Sequence, residues 1–169
     1  EGLVDQKVEE LNPFNRMLST PPWMAYLRIS EGCNNCCAYC AIPLIRGHFR
    51  SRPFEEVIAE AKMLALNGIK ELVLISQDTT RYGTDLEEKL TIVDLLKAIV
   101  EIKEFSSIRL LYLYPDEITD EFIDFIKDNP KVAPYFDIPF QHSSTKILKS
   151  MLRRGTHEDY QALIEKIKN

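Results

Sequence analysis

The chain lacks several features that would assign it to an exported or membrane-bound class of protein. Its 169 residues contain no apolar run of 18 or more, the length that a membrane-spanning helix needs. Residues 1–5 lack the basic and apolar regions of a secretory signal peptide. No segment repeats, and none is of low complexity. These absences predict a cytoplasmic globular protein without a membrane partner.

Positive charge is also scarce. Lysine and arginine number 21 against 26 aspartates and glutamates, which gives a net charge of -5. A domain that binds nucleic acid by itself normally carries an excess of basic residues on one face. The composition therefore predicts no direct nucleic-acid binding by this domain. Hydrophobic residues make up 45%, enough for one domain with a sizeable core.

Cysteine is missing everywhere except in one stretch of eight residues, which holds Cys33, Cys36, Cys37 and Cys40. Clustered cysteines without an export signal favour a metal over disulfides. Cys33, Cys37 and Cys40 have the spacing C-x3-C-x2-C. Three thiolates at this spacing can hold three irons of a 4Fe-4S cube and leave the fourth iron open. An open metal position is a place for chemistry, as it is on catalytic zinc.

Two other metal sites are possible alternatives. Cys33/Cys36 and Cys37/Cys40 are formally two C-x2-C pairs. A zinc site usually separates its pairs by a dozen or more residues, whereas these pairs abut. The ferredoxin run C-x2-C-x2-C-x3-C-P is not present either. The open cluster is favoured with Cys36 as a bystander, and a non-catalytic zinc or ferredoxin-like module remains the alternative from another class.

Apolar periodicity divides the chain into a lead-in, residues 1–24, and a core, residues 25–169, in which strands and helices alternate. The strands are continuous apolar runs, as expected of a parallel sheet covered on both faces. The predicted strands are 25–30, 71–76, 108–114 and 135–139, and the predicted helices are 53–67, 92–100, 119–127, 144–152 and 157–168.

Polar residues follow each predicted strand. Parallel sheets bind ligands at the carboxyl ends of their strands, so these residues should converge on one rim. They are the cysteine loop after the first strand, Gln77-Asp78 after the second, Tyr114-Pro115-Asp116 after the third and Gln141-His142 after the fourth. The sequence therefore predicts an α/β fold with its site at this rim.

The residues around the cysteines resemble the methylthiotransferase branch of the radical S-adenosylmethionine superfamily. The likeness covers roughly residues 22–160, and a motif of this kind counts only where its context agrees. The matching segments are Glu31-Gly32 before the first cysteine, Ile42-Pro43, Arg46-Gly47, Ser51-Arg52-Pro53, the run from Ser76 to Gly83, Leu111 to Pro115, and Tyr135 to His142.

The resemblance implies a fold and cofactors. The fold is a partial, open TIM-type barrel of parallel strand-helix repeats, with four of the usual six units in residues 25–169. The cofactors are a 4Fe-4S cluster on Cys33, Cys37 and Cys40, and S-adenosylmethionine on the open iron. Reductive cleavage gives a 5'-deoxyadenosyl radical, and a methylthio group is then attached to the substrate. A second 4Fe-4S cluster is expected in a domain that this chain does not include.

The resemblance also implies cofactor contacts, although it identifies no catalytic side chain. Tyr39 would lie on the adenine side of S-adenosylmethionine, and Ser76 and Gln77 would lie near its methionyl amino group. Gln141 and His142, after the fourth strand, are further candidates. Each has a structural alternative: a packing aromatic for Tyr39, a turn residue for Gln77, and a hydrogen-bonded structural histidine for His142.

The segment Gln77-Asp78 bears on the substrate. This sequence is similar to that of family members that modify an aspartate of a small-subunit ribosomal protein, whereas tRNA-modifying members typically have Gln-Asn at these positions. The resemblance thus implies a ribosomal protein substrate and a low-potential electron donor of ferredoxin or flavodoxin type. Methylthiolation of a tRNA adenosine is the alternative. Arg46, Arg50 and Arg52 could bind a substrate carboxylate.

Overall fold

A computed structural model describes residues 16–168, so most of the predicted lead-in lies outside the described residues. The described part is built from short strands and helices that alternate from residue 24 onward. The strands are β1 (Met24–Arg28), β2 (Ser30–Glu31), β3 (Arg50–Ser51), β4 (Glu71–Ile75) and β5 (Ser107–Leu110). The helices are α1 (Ile42–Arg46), α2 (Phe54–Leu66), α3 (Ile92–Val100), α4 (Asp120–Asp128), α5 (Thr145–Ser150) and α6 (His157–Lys168).

A three-stranded parallel sheet in the order β1-β4-β5 forms the centre of the fold. Helix α2 connects β1 to β4, and α3 connects β4 to β5. Alternate strand residues, among them Leu27, Leu74 and Leu110, are buried in one core with apolar residues of α2, α3 and α4. The α/β prediction is confirmed, and the described strands form an open sheet.

The opposite face of the sheet is only partly covered within residues 16–168. Tyr26 on β1 is 38% exposed, and Arg28 on the same face is also exposed. Arg109 on β5 is half-buried and lies with its Cζ 5.1 Å from the centre of the Tyr135 ring. The expectation that both faces are covered is therefore wrong for β1, whose residues alternate between buried and exposed.

The predicted fourth strand, 135–139, is wrong. The chain here is attached to β5 by one isolated parallel bridge, between Ile108 and Val132. Pro134 precedes the segment and Pro139 is its last residue, and neither has an N–H group to donate to a neighbouring strand. The segment therefore runs beside the sheet without forming a ladder, and the parallel sheet of the described residues has three strands.

The third strand is shorter than the predicted 108–114, since β5 ends at Leu110. Tyr112 has a φ of 62°, which a non-glycine residue in a strand does not adopt. The backbone N–H of Tyr112 donates to the Asp137 carboxylate at 2.9 Å instead of to a strand carbonyl. The strand therefore ends before Tyr112, and the residues that follow lie at the rim of the sheet.

The first predicted strand, 25–30, divides into two. After β1 the chain enters β2, which pairs antiparallel with β3 outside the main sheet. The pairing brings the start of the cysteine loop beside residues 50–51, which lie 20 positions further along the chain. The helices agree better, and α3 has the predicted bounds 92–100. None of the helices in the described part is long and apolar enough to cross a membrane.

Candidate functional site

The cysteine loop leaves the sheet at the carboxyl end of β1 and passes close to the backbone of residues 47–48. Gly32 permits this approach, because a Cβ there would lie 2.1 Å from the His48 carbonyl oxygen. Its φ of +79° is also a conformation that favours glycine. The N–H of Cys33 donates to the Gly47 carbonyl at 3.2 Å. The first cysteine is thus fixed by backbone contacts.

Two further contacts hold the rest of the loop. The Asn34 carboxamide oxygen accepts a hydrogen bond from the Phe49 N–H at 3.0 Å. The N–H of Ala38 donates to the Met151 carbonyl at 3.0 Å. The loop is therefore attached both to the segment before β3 and to the segment after α5.

The four thiols differ in exposure, and all are free of disulfides. Cys33 is buried, while Cys37 and Cys40 are half-buried. Cys36 is exposed, and its thiol contacts only the Asn34 carbonyl, at 3.8 Å. The three cysteines of the C-x3-C-x2-C spacing are therefore the less exposed ones, and the bystander role of Cys36 stays a prediction.

Cys33 receives two hydrogen bonds from Asn35, one from the backbone N–H and one from the side-chain amide, each at 3.4 Å. The same amide donates to the Asp78 carboxylate at 2.9 Å. Asp78 is buried and also accepts from Thr80 Oγ1 at 2.9 Å and from Arg81 Nε at 3.3 Å. Burial raises the pKa of the Cys33 thiol, and the hydrogen bonds from Asn35 oppose that shift.

Cys37 lies beside an aromatic and a cation from distant parts of the chain. The Tyr114 hydroxyl is 3.2 Å from Cys37 Sγ, and Arg153 Nη1 donates to this sulfur at 3.9 Å. The Arg153 guanidinium lies over the Tyr114 ring, with its Cζ 4.1 Å from the ring centre. Its Nη2 donates to the Pro139 carbonyl at 2.7 Å. Arg153 thus joins the cysteine loop to the segment before Gln141.

The two predicted contacts at the end of β4 differ in what their side chains do. The Ser76 hydroxyl accepts from the Asp78 N–H at 3.1 Å and lies 3.3 Å from Thr79 Oγ1, so it stabilises the turn after the strand. The Gln77 carboxamide oxygen is buried without a hydrogen-bond partner among residues 16–168. A buried polar atom of this kind is costly unless a ligand satisfies it. Gln77 is therefore the better candidate for cofactor binding.

The remaining predicted contacts are more exposed. Tyr39, in the cysteine loop, is 51% exposed. Gln141 is exposed at a φ of 67°. His142 is also exposed, and its Nδ1 accepts from the Ser144 N–H at 2.8 Å, just before α5. In the part of the chain that the structure describes, neither Gln141 nor His142 forms a side-chain hydrogen bond to the cysteine loop.

The three arginines near the loop are not equivalent. Arg52 donates to the buried carboxylate of Glu60 at 2.6 Å and is not available to a substrate. Arg46 lies with its Nε 3.8 Å from the Glu31 carboxylate. Arg50 is exposed, and its one side-chain hydrogen bond within residues 16–168 goes to the His48 carbonyl at 3.3 Å. Arg50 is thus the least committed cation of this stretch.

The donor set fits an iron–sulfur cluster better than a single metal ion. Within residues 16–168, no three side chains among His, Cys, Asp and Glu are arranged to hold one ion. A zinc site needs three or four ligands on the same ion. The ligands of a cube bind different irons, and their sulfurs need not converge on one point. Hydrogen-bond donors at Cys33 and Cys37 suit bound thiolates.

Comparison with known proteins decides the family. The model of the Radical SAM superfamily matches residues 27–169. This chain belongs to the Radical SAM superfamily. Its members use a 4Fe-4S cluster and S-adenosylmethionine, so the predicted family and cofactors are confirmed at this level.

Several curated relatives of this Radical SAM chain carry the same name, ribosomal protein uS12 methylthiotransferase RimO. The one from Caldanaerobacter subterraneus subsp. tengcongensis is 50% identical over 154 residues, which cover 91% of this chain and 35% of the relative. Those from Trichlorobacter lovleyi and Aquifex aeolicus are each 47% identical over 154 and 161 residues, 91% and 95% of this chain. The chain spans about a third of the length of these relatives.

Solved structures support the fold. The methyltransferase TsrM from Kitasatospora setae, with cobalamin and a [4Fe-4S] cluster bound, superposes with a TM-score of 0.64 at 17% identity. The match covers 86% of this chain and 28% of TsrM. A second TsrM structure, with tryptophan and a SAM analogue, gives 0.57 at 18% identity. The likeness shows that this Radical SAM chain has the parallel strand-helix fold.

Four residues with contacts at the cysteine loop were given no cofactor or metal role by the sequence prediction, which placed two of them, Asp78 and Tyr114, at the rim. Asn35 and Asp78 form one chain of hydrogen bonds to Cys33, and Tyr114 and Arg153 contact Cys37. Asp78 and Tyr114 follow predicted strands, so their position at the rim was a usable signal. Arg153 has no such signal, because it follows α5 in a segment without a recognisable motif.

Proposed function

We propose that this chain is the radical domain of a methylthiotransferase that modifies an aspartate of ribosomal protein uS12. The observation that carries the proposal is the 47–50% identity to several relatives that bear this name, over about nine-tenths of the chain. The clustered thiols at the carboxyl rim of a parallel sheet support it, since this rim is where such folds bind their ligands.

Cys33, Cys37 and Cys40 are the proposed ligands of the 4Fe-4S cluster. A cluster held by these thiolates would supply the low-potential electron for reductive cleavage of S-adenosylmethionine and so the radical chemistry that methylthiolation needs. The protein's part is placement and the exclusion of water. Asn35 hydrogen-bonds Cys33, and its own orientation is fixed by the buried carboxylate of Asp78.

Gln77 is the side chain that we assign to S-adenosylmethionine on the strongest structural ground. Its buried carboxamide oxygen lacks a partner among the described residues and can accept a hydrogen bond from the methionyl amino group. Tyr39 is proposed on the adenine side. Gln141 and His142 remain proposed contacts at the same rim.

The substrate proposal rests on charge as well as on the relatives. An acidic domain, with a net charge of -5, suits a basic protein partner better than a polyanion. Exposed Arg50 beside the cysteine loop is available to a substrate carboxylate. We accordingly propose a cytoplasmic enzyme whose radical domain does not bind nucleic acid directly.

Further parts of the proposal concern what lies outside this chain. Because the chain spans about a third of its relatives, methylthiolation is assigned to the complete protein. A second 4Fe-4S cluster in another domain and a low-potential ferredoxin or flavodoxin complete the proposed machinery.

The chemistry can be tested in the complete protein after anaerobic reconstitution with iron and sulfide. Replacement of Cys33, Cys37 or Cys40 by alanine should abolish the cluster whose EPR signal S-adenosylmethionine perturbs, and should abolish 5'-deoxyadenosine formation. Cys36→Ala is the matched control and should retain both. Loss of the signal in Cys36→Ala, or its persistence in Cys37→Ala, would contradict the ligand assignment.

The substrate can be tested by incubating the same protein with S-adenosylmethionine, a low-potential reductant and either small ribosomal subunits or tRNA. Mass spectrometry should detect a methylthio group on uS12 and none on tRNA. Methylthiolated adenosine with unmodified uS12 would replace the proposed substrate by the tRNA alternative.

A further inference from the structure

Arg153 is a buried cation without a carboxylate partner among residues 16–168. Its side chain lies after α5 and is part of a residue that is only 6% exposed. Among the described residues, no Asp or Glu oxygen lies within 4.0 Å of its guanidinium, and its Nε is buried without an acceptor. Its neighbour Arg154 differs: the side chain is 60% exposed and pairs with Asp116 at 3.3 Å and Glu117 at 3.5 Å.

A buried guanidinium is costly unless an opposite charge compensates it. The groups around Arg153 include the Pro139 carbonyl, the Tyr114 ring and the sulfur of Cys37, together with the phenols of Tyr39 and Tyr160. The Pro139 carbonyl is neutral. The proposed function makes Cys37 a thiolate ligand of the cluster, so this sulfur is the group that can supply the opposite charge.

We infer that Arg153 is a positioning residue that supplies the countercharge of the iron–sulfur cluster on Cys37 and thereby raises the cluster's reduction potential. The inference rests on the proposed function, which makes Cys37 a cluster ligand. A cube held by three thiolates carries net negative charge, and one-electron reduction by the low-potential donor adds another without making or breaking a bond. A fixed cation in a site of low dielectric stabilises the reduced form more than the oxidised form.

The geometry keeps this cation in place. The guanidinium plane lies against the Tyr114 ring, and Nη2 is anchored on a backbone carbonyl, so Nη1 is directed to the Cys37 sulfur. Hydrogen bonds to cluster sulfurs and nearby charge are two of the means by which proteins set cluster potentials. Arg153 combines both.

The test is a redox titration, followed by EPR, of the complete, anaerobically reconstituted protein without S-adenosylmethionine. The signal that is followed is the one that S-adenosylmethionine perturbs in a parallel sample. Arg153→Gln removes the charge and keeps an amide donor, whereas Arg153→Lys keeps the charge. Arg154→Gln is the matched control, because it removes an adjacent but exposed charge.

In Arg153→Gln we expect the ratio of reduced to oxidised cluster at a fixed potential to fall about tenfold. For a one-electron couple this corresponds to a midpoint potential lower by about 59 mV. Arg153→Lys should retain most of the wild-type potential, and Arg154→Gln should leave it unchanged. An unchanged midpoint in Arg153→Gln, or an equal fall in Arg154→Gln, would overturn the inference.

Two further readouts separate the remaining outcomes. Iron content shows whether a variant holds the cluster. If Arg153→Gln does not hold it, Arg153→Lys decides. A tenfold fall in its ratio of reduced to oxidised cluster would overturn the inference, and a retained midpoint potential would support it. Weakened S-adenosylmethionine binding in Arg153→Gln with an unchanged midpoint would assign the guanidinium to the cofactor carboxylate instead, which also overturns it. Absence of the perturbed signal from the wild type would contradict the proposed function itself.

Discussion

At the scale of single residues, Gly32 determines how closely the cysteine loop can approach the chain before β3. In Gly32→Ala the new Cβ would lie 2.1 Å from the His48 carbonyl oxygen and 2.7 Å from the Gly47 carbonyl oxygen. Both are backbone atoms that cannot rotate away. The variant should lose more stability than the about 1–2 kcal/mol that a left-handed conformation alone costs, and it should hold less iron. Denaturant unfolding and iron analysis measure both effects.

Gly68→Ala is the matched control for this prediction. Gly68 has a similar φ of +90°, but nothing lies within 4 Å of the position of its Cβ. It should lose only about 1–2 kcal/mol and keep its iron. Equal losses in the two variants would mean that the close approach of the loop to residues 47–48 does not constrain it.

Gln77 has the other prediction at this scale. If its buried carboxamide hydrogen-bonds S-adenosylmethionine, Gln77→Ala should weaken cofactor binding by about 1–3 kcal/mol. Ser76→Ala is the control, since the Ser76 hydroxyl already bonds to its own turn. Calorimetry on the reconstituted protein compares the two. Normal affinity for S-adenosylmethionine in Gln77→Ala, or an equal loss of affinity in Ser76→Ala, would show that Gln77 is a turn residue without a cofactor contact.

Residue identities at the site were predictable where the signal was local. The three-cysteine spacing is contained in eight consecutive residues, so the sequence alone could indicate the cluster. The approach of Arg153 to Cys37 could not be predicted, because the two residues are 116 positions apart and only the folded chain brings them together. The hydrogen bond from Arg52 to Glu60 could not be predicted for a similar reason, because the burial of Glu60 depends on how α2 packs.

At the scale of elements, the start of α3 depends on a reciprocal cap that also depends on pH. The Thr91 hydroxyl accepts from the Asp94 N–H at 3.2 Å, and the Asp94 carboxylate accepts from the Thr91 N–H at 2.9 Å. The Thr91 hydroxyl also donates to this carboxylate at 2.8 Å, and the hydrogen bonds from the Thr91 N–H and hydroxyl lower the pKa of Asp94. Thr91→Ala should cost about 1 kcal/mol in the free energy of unfolding near neutral pH.

The pH dependence follows from the direction of the pKa shift. A carboxyl group whose pKa is lower in the folded state stabilises it above the unfolded pKa of about 3.9. That contribution is lost as pH falls through the lower, folded value. The cost of Thr91→Ala should therefore shrink below about pH 4. Thr119→Ala, at the start of α4, is the control, because Thr119 caps Phe122, which does not titrate. A parallel pH dependence in both variants would contradict the coupling to Asp94.

Helices were easier to predict than strands for physical reasons. Helix α3 begins at a local cap and ends within its own periodic pattern, so its bounds 92–100 could be read from neighbouring residues. A strand needs a partner as well as an apolar run. Residues 135–139 have the apolar run, but Pro134 and Pro139 have no N–H to donate, and β5 ends at Leu110 before the left-handed Tyr112, so no ladder forms.

At the scale of the whole molecule, the described fold places the cysteine loop, Gln77 and Tyr114 at the carboxyl ends of three parallel strands. Sequence predicted this convergence because parallel strands share one rim, whatever their number. The sheet has three parallel strands in the described part. Tyr26 and Arg28 are exposed on its face opposite the core.

The central claim is that the complete protein attaches a methylthio group to an aspartate of uS12. The most direct measurement is mass spectrometry of uS12 and of tRNA from cells with and without the gene that encodes this chain. Deletion should remove a methylthio group from the uS12 aspartate and leave tRNA adenosines unchanged, and a copy with Cys37→Ala should fail to restore it while Cys36→Ala restores it. Unchanged uS12 after deletion, with a methylthio group lost from tRNA, would contradict the account.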